Sequence, residues 1–313
     1  MNILEWRIGP QLKKEIEAHY RSTFSAKVHG KRPIDIIRDL TFDGVAPHVT
    51  LADMDQLLQY VHKYFLKGGL KGVGLEVGAG CGAFSAALAC APEVERVYGV
   101  EICEPVVRDL MPTVGRFVLG DELHKLIGVV GEFDNLEMED NSVDFVFDFF
   151  SLHHSSDIKR TFTEIYRILK PGGFIFCFDK ARGNSLTYED LEKLLDQEYT
   201  RESKIKMGVD PDVKLTRRMN GEKEYRLKDW QEAARNAGFS TFEHFHIAGT
   251  TGSKASIVCK KMLEKLPPRL QPFVTNLLFF HKGNRNNLEI HNRVYTHLIE
   301  NFPKEISLMI AYK

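Results

Sequence analysis

Short apolar runs alternate with segments of helical period through the middle of the chain. Val73–Val77, Val97–Val100, Ile127–Val130, Val143–Phe147 and Phe174–Phe178 read as buried strands, each bounded by glycine or polar residues. Between them, Phe84 to about Pro92 reads as a helix, and a second helix follows Glu101 with Pro105 in its first turn. Ile158, Phe162, Ile165, Tyr166 and Leu169 mark one face of a third, which Pro171-Gly172-Gly173 stops. Strands alternating with helices predict an α/β fold with a parallel, doubly wound sheet, whose ligands bind at the carboxyl ends of the strands.

The flanks read differently. Residues 1–66 form a polar-rich helical cap ending at Leu57–Phe65, and Gly68-Gly69 separates it from a main domain over 67–313. Residues 183–226 are a polar insertion, a lid in which Arg201, Lys204, Lys206, Lys214, Arg217 and Arg218 give a basic bias. Trp230–Gly238 reads as a helix and Phe239–Ile247 as a sixth strand. A second insertion, residues 260–304, is largely helical, and Ile306–Tyr312 reads as the last strand.

Chemistry concentrates after the first strand of the main domain, in Gly74-Leu75-Glu76-Val77-Gly78-Ala79-Gly80-Cys81-Gly82-Ala83-Phe84. A strand, a glycine turn and a helix make a cofactor cradle, because glycine lets backbone approach a ligand closely. The spacing is G-x-G-x-G with Ala83 next, and a dinucleotide fingerprint tolerates such a substitution, so the glycines alone leave the cofactor open. Glu76 narrows it: a carboxylate two residues before Gly78 opposes a pyrophosphate but attracts a cationic group. The bland reading of Glu76 is a charge near a helix terminus.

Composition adds exclusions. The 313 residues carry a formal net charge of −1, which points away from nucleic acid and from a polybasic membrane surface. No apolar run is long enough to span a bilayer, and Met1–Trp6 lacks the basic and apolar parts of a signal peptide. The five cysteines have no paired or metal-ligand spacing, so free thiols in a reducing, cytoplasmic setting and no metal are expected.

Taken in order, five segments resemble the class I S-adenosylmethionine-dependent methyltransferases: Glu76-x-Gly78-x-Gly80-x-Gly82; Glu101; Gly131-Glu132-Phe133; Asn141–Phe147 with Ser151-Leu152-His153-His154; and Arg167–Gly173. The resemblance covers residues 68–180 and, more loosely, 224–247. It implies a Rossmann-like, mostly parallel sheet with an antiparallel last strand, and S-adenosyl-L-methionine as cofactor. It assigns Glu76, Gly78, Ala79, Gly80 and Gly82 to the amino acid end, Glu101 and Ile102 to the ribose, Glu132 and Phe133 to adenine, and Asp148 and Phe149 to the slot after the fourth strand. Glu132 departs from the family's usual aspartate, and residues 112–126 lengthen the approach to the third strand. Phe133 reads equally as a core residue, and Cys81 as a small turn residue.

Methyl transfer from a sulfonium needs alignment and exclusion of water, and a hydroxyl acceptor also needs a base. His153 is the candidate catalytic base, with Asp179 and Tyr225 behind it; the structural reading of the pair, a ring bonded to backbone, suits His154 better. Asp148-Phe149-Phe150-Ser151 lacks the Pro-Pro-aromatic pattern of enzymes that methylate nucleobase amines. Glu224–Trp230 followed by Ala237-Gly238-Phe239 is similar to bacterial methyltransferases of sugar and surface-polysaccharide pathways. The expected activity is O-methylation of a small hydroxylated metabolite or a carbohydrate precursor. A nicotinamide-dependent oxidoreductase and an inactive S-adenosylmethionine-binding partner subunit are the alternatives. The basic lid reads as a solvated surface or as a clamp for an anionic acceptor.

Overall fold

A computed structural model of the chain describes residues 1–9, 30–207, 209–246, 294–295, 298 and 306–313. Its strands are β1 (Asn2–Glu5), β2 (Gly72–Val77), β3 (Val94–Glu101), β4 (Leu126–Val130), β5 (Val143–Phe149), β6 (Leu169–Lys180), β7 (Thr241–His246) and β8 (Ile306–Tyr312). They form one sheet in the order β1-β4-β3-β2-β5-β6-β8-β7. All pairings are parallel except those of β8, which runs antiparallel to both β6 and β7. The strand order reverses direction at β2, between β3 and β5. The glycine turn that follows β2 therefore stands at the topological switch point, where such sheets open a crevice.

The central strands are apolar on both faces because helices cover both. On one face Phe145, Phe147, Phe149, Phe174, Phe176 and Phe178 alternate along β5 and β6 and meet α1 (Pro33–Thr41), α2 (Leu51–Tyr64), α3 (Ala83–Ala89) and α4 (Met111–Leu119). On the other, Leu75, Val77, Val146 and Ile175 pack under α5 (Ile158–Ile168) and α8 (Leu227–Ala237), with Phe162 and Trp230 as the large anchors. Local chemistry sets the helix ends. Thr50 and Asp53 cap each other at the start of α2, Asp157 accepts the Lys159 and Arg160 amides at the start of α5, and Gly238 ends α8 in the left-handed region at φ 105°.

The structure departs from the sequence pattern in three places. The expected helical cap over 1–66 begins instead with a strand: β1 pairs with the outer edge of β4 from Asn2↔Ile127 to Glu5↔Val130. Four residues have no periodicity to read, and the ladder they join is supplied by a distant segment. Pro171-Gly172-Gly173 do not lie before a strand but within β6, which begins at Leu169; the pairing with β5 jumps from Val143↔Leu169 to Phe145↔Phe174 to accommodate them. The 183–226 insertion holds two short helices, α6 (Tyr188–Leu195) and α7 (Arg201–Lys206). The expected helical insertion at 260–304 lies outside the described residues, apart from Val294, Tyr295 and Leu298, which are helical and buried in the aromatic-rich core.

Candidate cofactor site

The turn after β2 is built from three left-handed glycines: Gly78 at φ 62°, Gly80 at φ 51° and Gly82 at φ 76°. Two of them are needed for close contact as well. A Cβ on Gly78 would lie 2.2 Å from that of Ser151, and one on Gly82 would lie 2.5 Å from Met111 Cγ. A Cβ on Gly80 would meet nothing, so the turn presents its backbone to open space there. The turn is tied to both neighbouring strands. The Ala79 amide donates to Val100 O at 2.9 Å, and Ser151 Oγ donates to Gly78 O at 3.0 Å.

Carboxylates surround this turn. Glu76, Glu101 and Asp148 are 3%, 5% and 0% exposed, and among the described residues no lysine or arginine pairs with any of them. Glu76, at the end of β2, accepts a short hydrogen bond from Ser85 Oγ of α3. Burial pushes its carboxyl up to about 8, against the pull of Ser85. Glu101, at the end of β3, takes the Gly80 amide at 3.0 Å and the Cys103 amide at 2.9 Å; burial raises it too, and those amides oppose the rise. Asp148 Oδ1 accepts from the Ser151 and Leu152 amides at 3.0 and 2.9 Å, while Oδ2 is buried with no hydrogen-bond partner. Burial first, then the charge of Asp179, raises its carboxyl well above the usual range. Three buried acids beside an open backbone turn form a site complementary to a cation.

The other residues expected at the cofactor divide. Ile102 is half-buried in the turn between Glu101 and Cys103. Glu132 is half-buried, and its Oε2 accepts the Gly9 amide at 3.2 Å. Phe133 is partly buried and packs against the aliphatic core. The Ala79 methyl points towards Gly99 of β3, and the ring of Phe149 packs on Phe84, 4.4 Å away centroid to centroid. Cys81 is buried beside Thr41 Oγ1, and burial pushes its thiol up to about 11, which disfavours the thiolate.

His153 lies in the short turn after β5, 4% exposed, and its Nδ1 is 2.7 Å from Asp179 Oδ1 at the end of β6. Asp179 also accepts the His153 amide at 2.9 Å, so one carboxylate fixes both ring and backbone. Burial pushes Asp179 up to about 6, opposed by Lys180. An acceptor on the Nδ1 side assigns the Nδ1–H tautomer. His154 stacks on His153 at 4.3 Å, and its Nδ1 lies 3.1 Å from Gly221 O in the lid. The Tyr225 hydroxyl donates to Ser155 O at 3.0 Å, away from the Asp179 pair.

Several residues at this edge carry no sequence signal of their role. Ser85 is one, although a lone hydroxyl in the otherwise apolar Ala83–Ala89 helix marks it in retrospect. Phe150 is another: it adopts φ 59°, a costly backbone for a bulky side chain, as the chain turns from β5 into Ser151. Asp134 gathers Ser155, Ser156 and Thr161 and so holds the loop after His154.

Four of the six basic residues expected to give the lid its bias are paired with carboxylates. Arg201 pairs with Asp212, Lys204 with Glu198, Arg217 with Glu224, and Arg218 with Glu192 and Asp196. These pairings occupy four of the charges that an anionic acceptor would need.

Residues 75–177 match the family model described as a methyltransferase domain. This segment is a methyltransferase domain. It runs from the middle of β2 to most of β6 and contains every residue expected at the cofactor. Among curated proteins, a demethylmenaquinone methyltransferase of Staphylococcus saprophyticus is 33% identical over 98 residues, 31% of this chain and 40% of that protein. A glycine/sarcosine/dimethylglycine N-methyltransferase of Actinopolyspora halophila is 31% identical over 125 residues, 39% of this chain and 21% of that protein. The chain thus spans less than half the length of either relative. Among solved structures, phosphoethanolamine N-methyltransferase 2 of Haemonchus contortus aligns over 82% of this chain and 52% of its own, at 18% identity and a TM-score of 0.49.

Proposed function

We propose that the protein is an S-adenosylmethionine-dependent methyltransferase acting on a hydroxyl group of a small metabolite or carbohydrate precursor. The observation that carries the cofactor half is the set of buried carboxylates Glu76, Glu101 and Asp148 without a cationic partner beside the open Gly80 backbone. Glu76 would face the ammonium of the amino acid end, and the lone pairs that Glu101 does not give to Gly80 and Cys103 would take the ribose hydroxyls. A bound S-adenosylmethionine supplies an electrophilic methyl group. The acids around Gly78–Gly82, which can ionise against an arriving cation, suit a sulfonium and disfavour the pyrophosphate of a nicotinamide dinucleotide.

The acceptor half rests on the His153–Asp179 pair. Asp179 holds the ring and stabilises its charged form, and Nε2 of the assigned tautomer takes the hydroxyl proton as the oxygen attacks. An alkyl amine, the acceptor class in the name of the Actinopolyspora relative, is an ammonium near neutral pH and must also lose a proton before its lone pair attacks. The pair could serve either acceptor, and the lean towards a hydroxyl comes from the sequence resemblance of Glu224–Trp230.

Calorimetry with S-adenosylhomocysteine, followed by transfer of labelled methyl to a panel of phenolic and sugar hydroxyls, tests both halves. His153→Ala should lower kcat by about 10²–10⁴-fold with unchanged S-adenosylhomocysteine affinity. An unchanged kcat would remove His153 from the chemistry. Binding of a nicotinamide cofactor, with none of S-adenosylhomocysteine, would overturn the whole reading, and cofactor binding without turnover on any acceptor would favour a binding subunit.

A further inference from the structure

The N-terminal strand does more than lengthen the sheet. β1 runs parallel to β4, and the chain continues past the last paired residues along the loop that follows β4. The Trp6 amide donates to Val130 O at 2.8 Å. The Trp6 side chain then covers Gly131: a Cβ on that glycine would lie 3.1 Å from both Cβ and Cε3 of Trp6. The Gly9 amide donates to Glu132 Oε2 at 3.2 Å, and the Arg7 amide to Glu137 Oε1 at 3.1 Å. On its other side the same loop is held by the Gly131 amide, which donates to Glu101 O at 3.1 Å. Arg108, from the helix that follows β3, pairs with Glu5 and anchors the end of the strand.

Residues 131–133 thus have Glu101 on one side and the strap Trp6–Gly9 on the other. We propose that residues 6–9 are a positioning element for the purine end of the cofactor, with Trp6 and the Gly9 amide setting the place and direction of the Glu132 carboxylate. The inference rests on the cofactor reading above and deepens it. Glu132 carries one more methylene than an aspartate, and a longer side chain has more rotamers to lose before it recognises one amine. The Gly9 amide occupies Oε2 and restricts the carboxylate, and Oε1 remains the oxygen that would accept from the exocyclic amine of adenine. A Cβ at position 131 would crowd Trp6 at 3.1 Å, and the glycine there lets the loop backbone lie against the strap.

The test compares binding of S-adenosylhomocysteine with that of S-inosylhomocysteine, in which a carbonyl replaces the exocyclic amine. The full chain should prefer the adenine compound by roughly tenfold or more, as expected for one charge-assisted hydrogen bond. Trp6→Ala should remove most of that preference while leaving the affinity for the inosine compound nearly unchanged; Trp6→Phe should retain it. A variant that merely loosened the fold would weaken both ligands alike. Should Trp6→Ala fail to fold, the intrinsic fluorescence decides. The emission change that S-adenosylhomocysteine produces in the full chain must be lost in Trp6→Phe, because the other tryptophan, Trp230, is fully buried under α5. Undiminished discrimination in Trp6→Ala, or an emission change that survives in Trp6→Phe, overturns the proposal. If the full chain binds neither compound, the cofactor reading falls and takes this one with it; binding of both without preference removes the strap alone.

Discussion

Two groups of buried charges sit at the same carboxyl edge of the sheet, and they are wired in opposite ways. At the root of the lid, Lys180 pairs with Glu222 at 2.7 Å, Arg182 grips Glu224 through two bonds of 2.6 and 2.9 Å, and Arg217 reaches Glu224 at 2.7 Å. Burial works against the charge of Glu224, yet Arg182, Lys180 and Arg217 hold it down to about 2. In the cradle, Glu76 is buried to a similar degree, is hydrogen-bonded by Ser85 and by no cation among the described residues, and is pushed up to about 8. A buried charge that is paired within the chain holds elements together, whereas one left unpaired is supported by the fold for something that arrives later. The contrast separates structure from function without reference to any relative.

The largest effect that tests this contrast is expected in the lid. Glu224→Gln leaves Arg182 buried without its charged partner and Arg217 with Glu222 alone, which should cost about 3–5 kcal/mol of unfolding free energy in denaturant titrations. Its folded fraction should bind S-adenosylhomocysteine as the unaltered chain does; a matching loss of affinity would mean that the two regions are one. The reciprocal change, Glu76→Gln, should cost about 1.5–3 kcal/mol of cofactor binding by calorimetry and leave stability equal or higher, since it removes an uncompensated buried acid. A loss of stability with intact binding would make Glu76 a structural residue.

The smallest effect, at most about tenfold in affinity per pH unit, comes from titration. Glu76 has a raised pKa in the ligand-free protein, so it holds its proton below about 8 and must release it to face an ammonium. Affinity for S-adenosylhomocysteine should therefore rise from pH 6 to 8 and level off above, and Glu76→Gln should flatten the curve. Stability of the ligand-free chain runs the other way: the contribution of Glu76 is fully present below the ordinary carboxylate range and is lost as pH rises through about 8. Glu224 behaves in the opposite way, because its lowered pKa makes its contribution present at neutral pH and lost as pH falls from the ordinary carboxylate range towards 2. Calorimetry in a pH series and melting curves of the two Gln variants measure these slopes; parallel slopes in both variants would erase the contrast.

The amount legible from sequence varied along the chain for a physical reason. Strands such as Val143–Phe149 and Ile306–Tyr312 are dense in β-branched and aromatic residues because helices cover both faces of the sheet, and that density is visible in one dimension. The cradle was legible because left-handed backbone at 78, 80 and 82 requires glycine, and glycines at that spacing after a strand have few other uses. β1 was not, since a four-residue strand draws its hydrogen bonds from β4, more than a hundred positions away. The lid's bias towards basic residues was also misleading: the charges stand out in the sequence, and their carboxylate partners become partners only when α6, α7 and the segment to Glu224 fold back on one another.

By itself the sequence determined the alternation of elements, the glycine turn and the acids at the ends of β2 and β3, because each depends on a residue type within a short window. Only the tertiary structure decided which acids stay unpaired, that His153 meets Asp179 across two strands, and that Trp6 closes on Gly131. Pairing depends on distance in space, and for these residues the distance is set by strand order and not by position along the chain.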